Sequence, residues 1–357
     1  MGTKLPITVV IPSYNHARYV EESIVSVFEQ TSLPDEILVV DDGSSDKSVD
    51  VLKNFGKKIT LITFEINQGA AAATNFAIQN ARNPYIAILN SDDVWETSKL
   101  EKQFSWMVKN EYDLTFTTAS IIDQLSRPVK NPPSYFDVFL RTEPINDSYL
   151  THFFYYGNFL CHPSLIIKKD AYERFGYYRN DLRQLPDLER WISFAKRLNI
   201  GVTNQNLVKF RWTEGLNTSS QSLTPSYIRT QNEHLFLYLN FFEGLKDSEI
   251  RDIFSIELEA LAPRFHSIAE VDPGSALLLA HPEPSVKYQT TLSGYLRLLQ
   301  NNHPPVIDKA IQDLSGSFQV NLEFENLINH FETQHYALKL LERIPLSIRK
   351  YIRELAR

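Results

Sequence analysis

From Ile7 onward the chain alternates between two rhythms. Short apolar runs, ITVVIP (7–12), EILVVDD (36–42), ITLITF (59–64) and YIAILN (85–90), are separated by YVEESIVSVFEQ, DKSVDVLKNF and AAATNFAIQNA, whose apolar residues recur at helical spacing. The short runs are continuous rather than alternating, which predicts strands buried on both faces. Strands that alternate with helices predict a mostly parallel sheet covered by those helices. In such sheets ligands sit beyond the carboxyl ends of the strands. IPSYN, VVDDGSSD and LNSDD all fall at predicted strand ends, so three polar clusters are expected to converge on one cleft.

Between about residues 120 and 215 the pattern is mixed, with Pro-rich turns such as RPVKNPPSY and a helix in LPDLERWISFAKRL. After about residue 220, TPSYIRTQNEHLFLYLNFF, SEIRDIFSIELEAL and LSGYLRLLQ carry helical spacing and predict a separate helical region. The expected division is an α/β domain over residues 1–219 and an α-helical region over residues 220–357. The uncharged segment from Ser148 to Ile167 is long enough to cross a bilayer, but His152, Gly157, Asn158, His162 and Pro163 interrupt it. It is read as core and pocket wall.

Composition narrows the function classes. With 357 residues, 43% of them hydrophobic, the chain can fill the cores of about two domains. A net charge of −7 argues against nucleic acid as a partner, because phosphate binding calls for a basic surface. The single cysteine, Cys161, precludes an intrachain disulfide and fits a reducing compartment, and the opening MGTKLPITVVIPSYN lacks a secretory apolar region, so the cytoplasm is expected. Cys161, His152 and His162 lack the number and spacing of ligands that a structural zinc site needs.

Two clusters carry candidate chemistry. ILNSDDVW (88–95) runs an apolar strand into adjacent carboxylates, Asp92 and Asp93, which suit water or a cation better than a core. Mg²⁺ or Mn²⁺ commonly takes one or two protein carboxylates and completes its shell with substrate phosphate oxygens. A solvated turn that caps the following helix near Glu96 would use the same residues. In VVDDGSSD, Asp41 and Asp42 stand where a carboxylate can accept hydrogen bonds from a base or ribose, and Gly43 permits a tight turn; a plain turn and helix cap is the other reading. IPSYNHARYV is not a G-x-G-x-x-G turn and no P-loop is present, which disfavours a dinucleotide-dependent dehydrogenase.

In the order IPSYN, VVDDGSSD, NQGAAAATN, ILNSDD, LPDLERW, the chain resembles the family 2 glycosyltransferases of GT-A fold over roughly residues 5 to 215. The resemblance implies a Rossmann-like α/β sheet in which Pro12, Tyr14 and Asp42 line the nucleotide pocket and Gly69 lets the backbone approach the donor. Asp92 would hold Mn²⁺ or Mg²⁺ on the diphosphate. Asn90 stands where many relatives carry the first aspartate of that motif, and it is expected with Ser91 and Asp93 at the donor. Asp187 matches the catalytic aspartate, with Pro186 where Glu is frequent; on residue spacing alone, an Asp187–Arg190 ion pair on a helix surface is the competing reading. His162, Arg190 and Trp191 are expected beside the acceptor, although His162 equally suits a satisfied core position. FRWTEGLNTS (210–219) resembles the family's Arg-x-His-x-x-x-x-Ser stretch, with Arg211 at the diphosphate or in a routine ion pair and Thr213 at the histidine position.

The implied activity is inverting transfer of a sugar from a nucleotide-diphosphate donor, with UDP-sugar the first choice. The hydroxyl acceptor would be a glycan, a lipid-linked glycan or a protein, in surface glycan or polysaccharide biosynthesis. A sugar-1-phosphate nucleotidyltransferase would require a Gly-rich, Arg-containing loop after the first strand, which IPSYNHARYV lacks. The departures at Asn90, Pro186 and Thr213 leave a non-catalytic nucleotide-sugar-binding scaffold as the alternative. Finally, ALKLLERIPLSIRKYIRELAR (337–357) sets six basic residues against two acidic ones, interleaved with leucines and isoleucines. Such a helix can lie peripherally on an anionic membrane, or it can pack on the preceding helices or on a second subunit of a homo-oligomer.

Overall fold

The computed structural model describes residues 4–144, 147–212, 224–261 and 263–300. The chain divides into two compact units, residues 1–237 and residues from 238 onward. Thr213 and the basic segment 337–357 lie outside the described residues.

The first unit contains β1 (Leu5–Ser13), α1 (Val20–Phe28), β2 (Pro34–Asp41), α2 (Ser48–Lys53), β3 (Thr60–Thr63), α3 (Ala70–Asn80), β4 (Tyr85–Ile88), β5 (Val94–Trp95), α4 (Lys99–Lys109), β6 (Leu114–Ile122), α5 (Tyr149–Tyr156), β7 (Ile166–Lys168), α6 (Asp170–Phe175), α7 (Pro186–Ala195) and β8 (Ile200–Arg211). One sheet holds all eight strands in the order β3-β2-β1-β4-β7-β6-β8-β5. Pairing is parallel from β3 through β4 and between β6 and β8; β7 and β5 run antiparallel to their neighbours. This is the expected mostly parallel α/β sheet. Ile7, Val9, Val10 and Ile11 are fully buried because helices cover both faces. On α1, Val20, Ile24 and Val27 form the apolar stripe that packs into the same core.

Register brings the polar strand ends together. Ser13 is opposite Asp41, and Asp41 is opposite Thr63. Leu89 donates to the carbonyl of Val10, which carries Asn90 to Asp93 to the same edge. The helix expected near Glu96 starts later, at Lys99, because Val94 and Trp95 first pair with Lys209 and Val208 of β8. Trp95 anchors this short strand: its indole N–H donates to the Pro163 carbonyl at 2.9 Å. The uncharged stretch after Ser148 folds into the eight-residue α5 and the turn leading to β7, and no described helix is long and apolar enough to cross a membrane.

α8 (Thr224–Asn240) begins in the first unit and runs across the division. Beyond it lie α9 (Asp247–Ile253), α10 (Ser255–Glu259), α11 (Pro263–Val271), α12 (Pro273–Ala280) and α13 (Lys287–Gln300). Phe265, Ile268, Ala269, Ala276, Leu279 and Leu298 form their apolar core. Asp272 caps α12 by accepting from the backbone N–H of Ser275 at 3.0 Å. The division falls at 237/238, and within the first unit Glu233 of α8 accepts from the backbone N–H groups of residues 183–185.

Candidate active site

The loops after β1, β2 and β3 are tied to one another before any ligand arrives. The carboxylate of Asp41 accepts from the N–H and hydroxyl of Ser44, whose hydroxyl oxygen accepts from the N–H of Asn15. Asn15 Oδ1 in turn accepts from the N–H of Ser45 at 2.8 Å. The buried Asp42 accepts from the N–H groups of Gln68 and Gly69, at 2.7 and 2.8 Å. Gly43 has φ +70°, and a Cβ there would stand 2.8 Å from the carbonyl carbon of Ile66, so only glycine fits. Asp42 thus shapes the NQG turn. In the same loop as Asn15, Tyr14 is 43% exposed, an aromatic face open to a nucleobase, and Pro12 is partly buried beneath it in sequence. Gly69, with φ +101°, meets the Arg183 guanidinium: a Cβ there would be 3.2 Å from Nη1.

The adjacent carboxylates of NSDD separate into unlike environments. Asp93 is 1% exposed, and its oxygens accept from the backbone N–H of Arg211 at 2.7 Å and from Asn90 Nδ2 at 2.9 Å. Burial, and then the neighbouring Asp92, push its carboxyl well above the usual range, against the lowering effect of those hydrogen bonds. Asp93 and the Asn90 Nδ2 group are therefore engaged with each other and with the protein backbone. Ser91 is also buried, its hydroxyl sharing a 2.8 Å hydrogen bond with His16 Nδ1. Asp92 keeps a partly exposed carboxylate, 3.9 Å from His16 Nε2. Among the described residues no three His, Cys, Asp or Glu side chains form a closed cation cage. One carboxylate with a neighbouring imidazole fits a hard cation that arrives with phosphate ligands, as a site of this kind requires.

Arg211 differs most from expectation. Its side chain is 1% exposed, and the guanidinium donates to the carbonyls of Asp92 (2.6 Å) and Asp123 (2.8 Å), to Ser126 Oγ (3.0 Å) and to Glu22 (2.7 Å). It also lies 4.6 Å from the Tyr19 ring centroid. The protein has supplied acceptors from three segments, so Arg211 braces the Asp92–Asp93 turn instead of facing a diphosphate.

The residues expected at the acceptor gather around α7. Asp187, in its first turn, accepts from the N–H of Leu188 at 2.8 Å and from Asn158 Nδ2 at 2.9 Å. Desolvation raises its carboxyl to about 6, and Glu233 adds to the rise. The Asp187–Arg190 pair, the competing reading from spacing, does not form. Arg190 is buried, donating to the Phe175 carbonyl at 2.8 Å and pairing with Glu189 at 3.0 Å. Trp191 is fully buried against Phe116, Tyr178 and His162, so it packs within the domain rather than presenting a face to an acceptor. His162 Nε2 shares a 3.2 Å hydrogen bond with the Tyr178 hydroxyl, and burial lowers the imidazole to about 4, which keeps it neutral. The satisfied-histidine alternative matches that geometry.

Four residues at the site had no role in the sequence reading. His16 was hidden within an otherwise recognisable loop, and Asn158 lay inside the segment read as pocket wall. Arg183 and Glu233 had no signal at all, since each depends on a contact between distant parts of the chain.

The model of the Glycosyl transferase family 2 matches residues 8–175. An uncharacterized glycosyltransferase of Rickettsia prowazekii is 30% identical over 251 residues, 68% of this chain and 74% of that protein. The putative teichuronic acid biosynthesis glycosyltransferase TuaG of Bacillus subtilis is 37% identical over 126 residues, 34% of this chain and 50% of TuaG. The UDP-Glc:alpha-D-GlcNAc-diphosphoundecaprenol beta-1,3-glucosyltransferase of Escherichia coli is 40% identical over 121 residues, 34% of this chain and 48% of the enzyme. The chain thus spans about half the length of these last two curated relatives. Among solved structures, Staphylococcus aureus TarS 1–349 in complex with UDP-GlcNAc superposes with a TM-score of 0.56 at 18% identity, covering 87% of this chain and 92% of that one. The mannosyltransferase PcManGT of Pyrobaculum calidifontis, in complex with GDP-Man and Mn²⁺, gives 0.51 at 17% identity, covering 84% and 88%. These likenesses place the fold in the GT-A class, and with the family match and the Rickettsia relative they show that the chain belongs to glycosyl transferase family 2.

Proposed function

We propose that this chain transfers a glycosyl group from a nucleoside-diphosphate sugar, with UDP as the favoured nucleotide, to an acceptor hydroxyl with inversion at the anomeric carbon. The observation that carries the reading is Asp187: a carboxylate raised to about 6, held by Asn158 and the Leu188 N–H, and not neutralised by Arg190. A base of that strength is mostly ionised near neutrality and still takes a proton as the hydroxyl attacks. The Asn158 N–H fixes the carboxylate's direction. No covalent glycosyl-enzyme is needed. On the donor side, Tyr14 and Pro12 would border the base, and Asp42 would hold the Gly69 turn against it while offering its remaining lone pairs to base or ribose. Asp92 would hold Mn²⁺ or Mg²⁺, which supplies positive charge to the leaving diphosphate.

The E. coli relative is named for UDP-Glc and a diphosphoundecaprenol-linked acceptor, and TuaG for teichuronic acid biosynthesis. They support a UDP-sugar donor, a lipid-linked glycan acceptor and a place in surface-glycan assembly at the cytoplasmic face of the membrane. We also infer that the glycosyltransferase domain extends to the first half of α8, with the later helices available for acceptor, membrane or subunit contacts. A thermal-shift screen of UDP-, GDP-, CDP- and dTDP-sugars with and without Mn²⁺, followed by transfer assays with the tightest binder, tests the proposal. Turnover that disappears in Asp187→Asn is the expected result. Donor binding without turnover on any glycan acceptor, or on water, would leave a scaffold.

A further inference from the structure

Arg183 stands out among the arginines near the cleft. Arg179 pairs with Asp181, Arg190 with Glu189 and Arg211 with Glu22. Arg183 is exposed and makes no ion pair or side-chain hydrogen bond with any described residue. Its position is nevertheless built. Its own N–H donates to Glu233 Oε1, and the N–H groups of Gln184 and Leu185 donate to Oε2, each at 2.8 Å. Glu233 is buried, so a desolvated carboxylate is spent on three successive N–H groups of one turn. That turn aims the Arg183 side chain at Gly69, where Cζ and Nη1 lie 3.3 and 3.2 Å from the place a Cβ would occupy. Gly69 is itself tied to Asp42 at 2.8 Å.

We propose that Arg183 binds the diphosphate of the nucleotide donor, the task that Arg211 is too enclosed to perform. The proposal rests on the donor-site reading above. A planar guanidinium offers paired N–H donors that match phosphate oxygens. With no carboxylate partner among the described residues, the Arg183 guanidinium has its donors available to an arriving polyanion. Gly69 lets it lie close to the main chain, beside the NQG turn, and the Glu233 brace fixes the backbone from which it reaches. Asp187, two residues past the braced turn, then sits on the same rigid segment, so donor phosphate and acceptor base are set by one short piece of backbone.

Titration calorimetry of the full chain with Mn²⁺ tests this, using UDP, GDP, CDP and dTDP and then the matching nucleoside of the tightest. Arg183→Ala should weaken the diphosphate by about 10- to 100-fold, the scale of a charge-assisted hydrogen bond, and change nucleoside affinity less than about twofold. Arg183→Lys should recover only part of the loss, because a point charge cannot form the fork. Both variants should melt within about 1 °C of wild type, as expected for an exposed side chain. Diphosphate affinity unchanged in Arg183→Ala, or equal losses for nucleoside and diphosphate, overturns the role of Arg183. Failure of wild type to bind any of the four diphosphates is a different result: it overturns the donor-site reading and the Arg183 proposal with it.

Discussion

Asp187 ties stability and catalysis to one carboxyl, so a single substitution tests both. Lifting the group from 3.8 to about 6 means that the folded chain holds this proton more tightly than the unfolded chain does. The associated stability is fully present below about pH 3.8 and is lost as pH rises through about 6, with a ceiling of about 3 kcal/mol. Partial solvent exposure lowers that ceiling. In Asp187→Asn the cost of ionisation vanishes, but Asn158 Nδ2 loses its carboxylate partner, worth about 1 kcal/mol. The variant should therefore be more stable than wild type by about 1–2 kcal/mol at pH 7.5 and no more stable at pH 4. Catalysis should move the opposite way. With an apparent value near 6, about nine-tenths of the carboxylate is ionised at pH 7 and about one-tenth at pH 5, so wild-type turnover should fall about tenfold between them. Asp187→Asn should lose about 100-fold or more at pH 7, with a residual rate that no longer depends on pH in that interval. The assay is release of nucleoside diphosphate at saturating donor, with glycan acceptor or with water, alongside denaturant melts at both pH values. A pH-independent wild-type rate, or a variant within threefold of wild type, refutes the base assignment; an unchanged stability at pH 7.5 refutes the desolvation argument.

Three further outcomes follow from neighbouring features. Asp92→Ala should abolish most of the difference in UDP affinity measured with Mn²⁺ and with EDTA, and equal wild-type affinity in both conditions would eliminate a metal role for Asp92. Lys99 is fully buried, its ammonium 3.7 Å from the Trp95 ring centroid and without a hydrogen-bond partner, and desolvation holds it well below its usual pKa. Because the folded state disfavours its protonation, the penalty grows as pH falls below about 10.5; Lys99→Met should raise stability at pH 7 by about 1–3 kcal/mol, and a lower melting temperature would show that the ammonium–indole contact outweighs burial. Gly43→Ala should cost about 2 kcal/mol or more, since a Cβ at φ +70° would meet main chain at 2.8 Å, and a melt within 1 °C of wild type would mean that the loop yields easily.

What the sequence revealed and what it hid divide along physical lines. β1, β2 and β4 were legible because burial on both faces asks only for unbroken apolar runs, and α1 because its stripe recurs at helical spacing. The convergence of three polar clusters followed from topology. By contrast, Asp92 and Asp93 are chemically identical neighbours, and only the arrival of the Arg211 N–H and the Asn90 amide decides which is enclosed. Arg211 could not be assigned from its position, because its partners come from residues 22, 92, 123 and 126. Spacing suggested that Arg190 would meet Asp187, yet burial turned it toward Glu189 and the Phe175 carbonyl.

Glu233 has the largest consequence of the residues that spacing could not find. Periodicity read its segment as part of a separate helical region, but its carboxylate reaches back 48 to 50 residues to hold the turn before α7. The same charge helps to raise Asp187. One buried carboxylate therefore holds the backbone of Arg183, fixes the start of the helix that carries Asp187 and raises that carboxyl, as the proposed base would require. Ending the chain at residue 219 would leave three N–H groups without their acceptor and remove a negative charge from behind Asp187; the turn would loosen and the carboxyl would become more acidic. On the proposed reading, the first half of α8 would then belong with the segment that carries Asp187, past the change in hydrophobic rhythm near residue 220.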